Sequence, residues 1–168
     1  MNSGKFQLTL ASPEQTTWLA TQFAKYALPG DTFLLDGPVG AGKSHFARSF
    51  IQAQHGDNTE VPSPSFTLVQ TYGEGLDTIW HSDLYRLSSP DEIAETGLLE
   101  MFDNAICLVE WPDRLGAEIP KRYLKMTLQP DAKLENTRWS QVEYAGEWDW
   151  LENLTIQHNR NNTCSAKS

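Results

Sequence analysis

The stretch Gly37-Pro38-Val39-Gly40-Ala41-Gly42-Lys43-Ser44 decides the reading of this chain. A glycine, four intervening residues and then Gly-Lys-Ser form the P-loop pattern. Its glycines let backbone N–H groups turn inward around phosphate oxygens, and the helix that follows points its positive end at the same anion. In that pattern Lys43 reaches the β- and γ-phosphates and the Ser44 hydroxyl ligates Mg²⁺. The flanks agree. Thr32 to Leu35 is a short apolar run of strand character, and Phe46, Ala47, Phe50 and Ile51 follow at helix-face spacing. Strand, glycine loop and helix is the arrangement a nucleotide site of this kind needs.

Working outward, Ser12-Pro13-Glu14-Gln15 predicts a capped helix start, with Trp18, Leu19, Phe23, Tyr26 and Ala27 at helical spacing behind it. Val61 to Ser65 is held extended by Pro62 and Pro64. Phe66 to Tyr72 and Thr78 to His81 predict an antiparallel hairpin around Gly73 to Gly75. Ser88 to Glu92 opens another helix, interrupted at Gly97. The continuous apolar run Ala105 to Val109 predicts a buried central strand. Tyr123 to Leu128 and Trp139 to Tyr144 alternate as late strands, while Glu147 to Leu154 fits helix or strand equally. The expected fold is a three-layer α/β P-loop domain whose central sheet is mostly parallel with some antiparallel strands.

The 168 residues suit one domain over 1–157, followed by a polar tail, 158–168, expected to be disordered. A net charge of −9 and the lack of any basic run argue against strong nucleic-acid binding by this chain alone. Any role near RNA would pass through a partner. No apolar run approaches a membrane span, and Met1 to Leu10 has no signal-peptide character. Two cysteines, Cys107 in an apolar run and Cys164 in the tail, suit a reducing cytoplasm, and no Cys/His cluster has zinc-ligand spacing.

Three further segments carry chemistry. The buried run ends in Glu110-Trp111, and a carboxylate at the C-terminal end of a strand is where P-loop proteins support Mg²⁺. Glu110 is therefore the second metal-site candidate after Ser44. His81-Ser82-Asp83-Leu84-Tyr85-Arg86-Leu87 concentrates functional groups behind a strand. Asp83 is the candidate for positioning water and Arg86 for stabilising charge, against a reading as a structural Asp–Arg pair. Ser63, Ser65 and Thr67 place hydroxyls between the P-loop helix and the next strand, where a switch segment closes on the γ-phosphate in P-loop GTPases. No Asn-Lys-x-Asp segment supports a guanine-specific pocket.

Together these segments resemble one family, the bacterial tRNA threonylcarbamoyladenosine biosynthesis ATPases called TsaE or YjeE. The resemblance rests on Gly40-Ala41-Gly42-Lys43-Ser44, Ser63 to Leu68, His81 to Leu87 and Cys107 to Pro112, in the family's order and at its separations, and covers about residues 8 to 145. Ser44 and Ser65 stand where the family more often has Thr; both keep the hydroxyl. The C-terminal third diverges.

The resemblance implies a partner-dependent ATPase that acts on the TsaD and TsaB proteins. These install threonylcarbamoyl on adenosine 37 of tRNAs reading codons that begin with A. The small ATPase resets that machinery between turnovers, meeting tRNA only indirectly. Carried over by position, Gly40, Ala41, Gly42, Lys43, Ser44 and His45 bind ATP, and Ser44 and Glu110 hold Mg²⁺. Ser12 and Arg138 lie where the family contacts nucleotide. Lys43, Asp83 and Glu110 form the expected catalytic set, and the reverse assignment of Asp83 and Glu110 stays open at this level. Two other readings stay open as well: a small-molecule kinase on the same fold, and a nucleotide-gated binding module with incidental hydrolysis.

Overall fold

Apolar residues on both faces of the central strands dictate the layering. In strand β2 (Thr32–Asp36), Phe33 and Leu35 point to one face and Leu34 to the other, and all are fully buried. Strand β5 (Ile106–Glu110) repeats this, with Ile106 and Leu108 on the first face and Cys107 and Val109 on the second. Each face needs its own cover. The computed structural model, which describes residues 2–165, provides it with helices on both sides of a seven-stranded sheet.

The sheet order is β1-β7-β6-β2-β5-β4-β3. The outer strands are β1 (Ser3–Leu10), β7 (Arg138–Ala145) and β3 (Val69–Tyr72), and β6 (Tyr123–Pro130) and β4 (Ile79–Asp83) flank the centre. Strands β6, β2, β5 and β4 pair in parallel, and β7 and β3 run against their neighbours. Because β1 opposes β7, it points the same way as the central four. The sheet is thus mostly parallel with antiparallel margins, as the sequence predicts. Strand β1 lies outside the predicted elements, although Phe6, Leu8 and Leu10 alternate with polar residues.

Helices α1 (Pro13–Tyr26), α2 (Lys43–His55) and α5 (Leu151–Ser165) lie on the first face. Phe23, Phe33, Phe46, Phe50, Trp148 and Trp150 interlock there at centroid distances between 5.1 and 6.5 Å. Short helices α3 (Pro90–Glu95) and α4 (Leu98–Met101), together with a 3₁₀ segment over Pro112–Glu118, cover the second face. The predicted caps form. The Ser12 hydroxyl accepts from Gln15 N at 3.3 Å, and Ser89 and Glu92 complete a capping box. Gly97, at φ 79°, separates α3 from α4. Cys107 is fully buried, which pushes its thiol up to about 12 and leaves it inert. The side chain of Cys164 lies outside the described residues. Among the described residues no helix is long and apolar enough to cross a membrane.

Two expectations are corrected. Phe66 to Leu68 is turn, not strand: Leu68 N donates to Pro64 O at 2.7 Å and Leu68 adopts φ 67°, so the ladder begins only at Val69. Residues 158–165, expected as a disordered tail, continue α5. Leu151, Leu154 and His158 share one helix face, and His158 is 4% exposed, 5.9 Å from the Trp18 ring.

Burial lowers the His158 imidazole from its ordinary value of 6.5, opposed by a bond to the Thr9 backbone. The unfolded chain therefore takes up this proton at higher pH than the folded one. The contribution of neutral His158 is complete above about pH 6.5 and shrinks as pH falls toward the lowered folded value. Between about pH 7.5 and 5.5 the thermal midpoint of the wild type should drop more than that of His158→Gln. Equal drops in the two proteins would show that His158 is not the responsible group.

Candidate functional site

Strand β2 delivers the chain to the phosphate loop through Asp36, whose Oδ1 accepts from Gly37 N at 2.8 Å. Gly42 precedes α2 at φ 107° and provides no side-chain cap, so the first N–H groups of α2 have no side-chain acceptor competing with a ligand. Lys43 is 5% exposed. Its Nζ donates to Gly37 O and to Pro38 O, the latter at 3.0 Å, and lies 4.2 Å from the centre of the Trp111 ring. Burial lowers the Lys43 pKa from its ordinary value, while Glu110, Asp36 and Asp83 pull it back up. The ammonium is thus desolvated and held by main-chain carbonyls that a phosphate can replace.

The adjacent parallel strands β4 and β5 place Asp83 opposite Glu110, both on the face toward α2. Both are nearly buried. Ser44 Oγ, one residue into α2, lies 3.2 Å from Glu110 Oε2 and 3.4 Å from Oε1. Glu110 Oε1 also meets His81 Nε2 at 2.8 Å. Asp83 Oδ1 accepts from Tyr85 N at 2.9 Å, and Oδ2 accepts from Ser65 Oγ at 3.0 Å. Lys43, Ser44, Asp83 and Glu110 therefore border one cleft of about 340 Å³ at the C-terminal ends of β2, β4 and β5.

These groups fit a magnesium nucleotide. A hydroxyl and a carboxylate already face each other where Mg²⁺ would sit, and the loop presents N–H groups and one ammonium to phosphate. Among the described residues no group of three or more His, Cys, Asp or Glu side chains could hold a metal alone. Ser44 and Glu110 would share Mg²⁺ with phosphate oxygens and water, the ordinary division for this hard ion.

The remaining predicted residues divide. Ser63 and Ser65 reach the cleft and bond each other at 2.7 Å, but Thr67 turns away and accepts from Gln70 Nε2. The Arg86 guanidinium covers the exposed Phe66 ring at 4.2 Å, outside the cleft. Arg138 lies against the loop from the other side, with Nε donating to Ala41 O at 3.1 Å. Together with His45, Thr16 and Asn136 it lines a smaller hollow of about 180 Å³. His45 Nε2 is tied to Thr17 Oγ1 at 2.9 Å. Ser12 does not line this hollow, and its hydroxyl is used in capping α1. Sequence reasoning passed over Trp111. Its φ of 59°, rare for an aromatic residue, turns the ring onto Lys43 and 4.8 Å from the Tyr85 ring. No sequence signal marks that backbone state; only its position after a strand-end carboxylate does.

Comparison with known proteins shows the family. The family model described as "Threonylcarbamoyl adenosine biosynthesis protein TsaE" matches residues 10–139. A tRNA threonylcarbamoyladenosine biosynthesis protein TsaE from Rickettsia bellii is 40% identical over 73% of this chain and 85% of its own length. The protein of that name from Rickettsia conorii is 46% identical, the match spanning 62% of this chain and 60% of the relative. The one from Bacillus subtilis is 35% identical over 70% of this chain and 73% of the relative. A crystal structure of Bacillus subtilis YdiB superposes with a TM-score of 0.70 at 25% identity, over 96% of this chain and 99% of that one. The family match falls on the phosphate loop, both strand-end carboxylates and Arg138 alike, and the chain belongs to the TsaE family of tRNA threonylcarbamoyladenosine biosynthesis proteins.

Proposed function

We propose that this chain binds Mg-ATP at the 37–44 loop and hydrolyses it, slowly alone and faster with the TsaD and TsaB proteins, to allow repeated threonylcarbamoylation of adenosine 37. The observation that carries the ATPase reading is the meeting of Ser44 with Glu110 beside Lys43 and Asp83. Lys43 releases the Gly37 and Pro38 carbonyls and pairs with the phosphates. Ser44 and Glu110 provide the protein's oxygens for the metal. Mg²⁺ held by these oxygens would supply neutralisation of the charge that develops on phosphate. Asp83 is the residue that orients water: Glu110 is engaged by Ser44 and His81, whereas among the described residues the Asp83 carboxylate accepts hydrogen bonds from Ser65 and its own turn alone. The α2 N–H groups stabilise transferred charge. With a net charge of −9, contact with tRNA is made by the partners.

The test is ATP turnover by the purified chain, alone and then with TsaD, TsaB and tRNA. Slow turnover that rises with the partners supports the reading. Turnover indifferent to them but accelerated by a small metabolite would favour a kinase. Asp83→Asn retains an oxygen for Tyr85 N and an amide for Ser65, so the loop keeps its shape. We expect turnover to fall about 10²-fold, with ATP affinity held within about threefold. Full single-turnover hydrolysis by this variant in the presence of the partners would remove Asp83 from the chemistry.

A further inference from the structure

His81 is the most deeply buried titratable side chain at the site, and the chemistry above leaves it without a task. It sits on β4 two residues before Asp83, so both point to the α2 face. Its register partner on β5 is Leu108, two residues before Glu110. The ring is therefore a diagonal neighbour of the Glu110 side chain, beneath the cleft rather than in it. It is 1% exposed and does not border the cleft, so it cannot touch a bound phosphate. Its one hydrogen bond among the described residues joins Nε2 to Glu110 Oε1 at 2.8 Å. Nδ1 is buried and has no partner among the described residues.

The direction of that bond follows from the part assigned to Glu110: a carboxylate that ligates Mg²⁺ only accepts, so in that role the hydrogen lies on Nε2. A bare nitrogen lone pair at Nδ1 is then the less costly orphan, because a buried N–H without an acceptor is rarer still in folded proteins. Glu110 is consequently asymmetric. Oε1 is held by His81 from below, and Oε2 is the oxygen nearer Ser44.

We propose that His81 is a positioning residue for the metal site: by donating Nε2–H to Glu110 Oε1 it locks the carboxylate so that Oε2 is presented, beside Ser44 Oγ, to Mg²⁺ or a water on it. The inference rests on the Mg-ATP reading above and deepens it. Glu has three rotatable bonds, and among the described residues the only other hydrogen bond to this carboxylate comes from the Ser44 hydroxyl, which the metal itself requires. Groups that orient a metal ligand in this way typically change metal affinity or activity about 10–100-fold when removed.

Binding rather than turnover gives the readout. ATP affinity would be measured by calorimetry in EDTA and across a Mg²⁺ titration, for the wild type, His81→Phe and His81→Gln. Phe fills the space without a donor; the Gln amide nitrogen returns a donor near the Nε2 position. In His81→Phe the affinity in EDTA should stay within about twofold while the Mg²⁺ concentration for half-maximal effect rises about 10–100-fold. His81→Gln should recover that value to within about threefold. An unchanged Mg²⁺ dependence in His81→Phe, whatever its thermal midpoint, would make His81 a packing residue. Should His81→Phe not fold, ¹⁵N imidazole spectra of the wild-type protein decide. A proton on Nε2 with Nδ1 bare supports the inference, and the opposite tautomer overturns it. If the wild type itself shows no Mg²⁺-dependent ATP binding, the ATPase reading falls first. Normal wild-type binding with an unaltered His81→Phe removes the role of His81 alone.

Discussion

Lys43→Ala should lower ATP turnover about 10²–10³-fold, the usual cost of deleting one charge-stabilising donor at a reacting centre. The same substitution should leave the thermal midpoint of the nucleotide-free protein unchanged or raise it. The reason is the state of the ammonium before ATP arrives. It is buried at the N-terminus of α2, where the helix dipole also disfavours a cation, and burial is the leading cause of its lowered pKa. Below the lowered folded value the group is protonated in both the folded and the unfolded chain, and there this penalty is present in full. It lessens only as pH rises through the lowered folded value toward the ordinary 10.5. The Gly37 and Pro38 carbonyls and the face of Trp111 offset part of the cost. Alanine removes both the penalty and its compensation, and water entering the open cleft can reach the freed carbonyls. Turnover measured beside a thermal melt separates the alternatives. A loss of activity with an intact or higher midpoint means that Lys43 works on substrate. A parallel collapse of both would mean that it mainly holds the loop together.

Local chemistry in this chain was legible from the sequence, and long-range adjacency was not. The Gly37–Ser44 loop, the strand before it and the helix after it stand in one continuous segment, and their geometry follows from local preference. The Ser89–Glu92 capping box is local in the same way. Asp83 and Glu110 could each be singled out by their place at a strand end. Their opposition across β4 and β5, and hence the division of roles between them, depends on a strand order that only parallel pairing through a distant crossover creates. His81 was noticed for its company, but the partner that gives it a purpose lies 29 residues away. Strand β1 went unread although Phe6, Leu8 and Leu10 alternate, since its ladder is made with β7 near the other end of the chain. The tail from His158 was misjudged for a different reason. Its composition is polar, yet His158 takes a core position behind Leu151 and Leu154 on α5, and a histidine in that place reads as surface in any hydrophobicity count. At Phe66 to Leu68, β-prone residues are overridden by the turn that Pro64 closes and by the left-handed backbone at Leu68.

Gly37→Ala should be the most destabilising single change in the phosphate loop. Gly37 is at φ 132°, a backbone state that L side chains rarely adopt, and a Cβ there would stand 2.3 Å from Leu128 O and 3.2 Å from Ala41 Cβ. The first obstacle is main chain of β6, which pairs with β2 immediately before the loop, so no side-chain rotation can relieve it. Either the loop leaves β6 or the end of β6 leaves the sheet, taking with it the Lys125–Asp36 ion pair at 3.0 Å. We expect a loss of about 2–4 kcal/mol, combining backbone strain with overpacking. Gly40→Ala is the control. Gly40 also has positive φ, at 79°, but nothing lies within 4 Å of its added Cβ, so it should cost only the left-handed penalty of about 1–2 kcal/mol. Urea unfolding of the two variants and the wild type measures the difference directly. Equal losses would mean that conformational strain alone governs the loop. A larger loss at Gly37 means that the contact with β6 sets its shape, and nucleotide affinity should then fall in the same order, because a distorted loop no longer turns its backbone N–H groups toward phosphate.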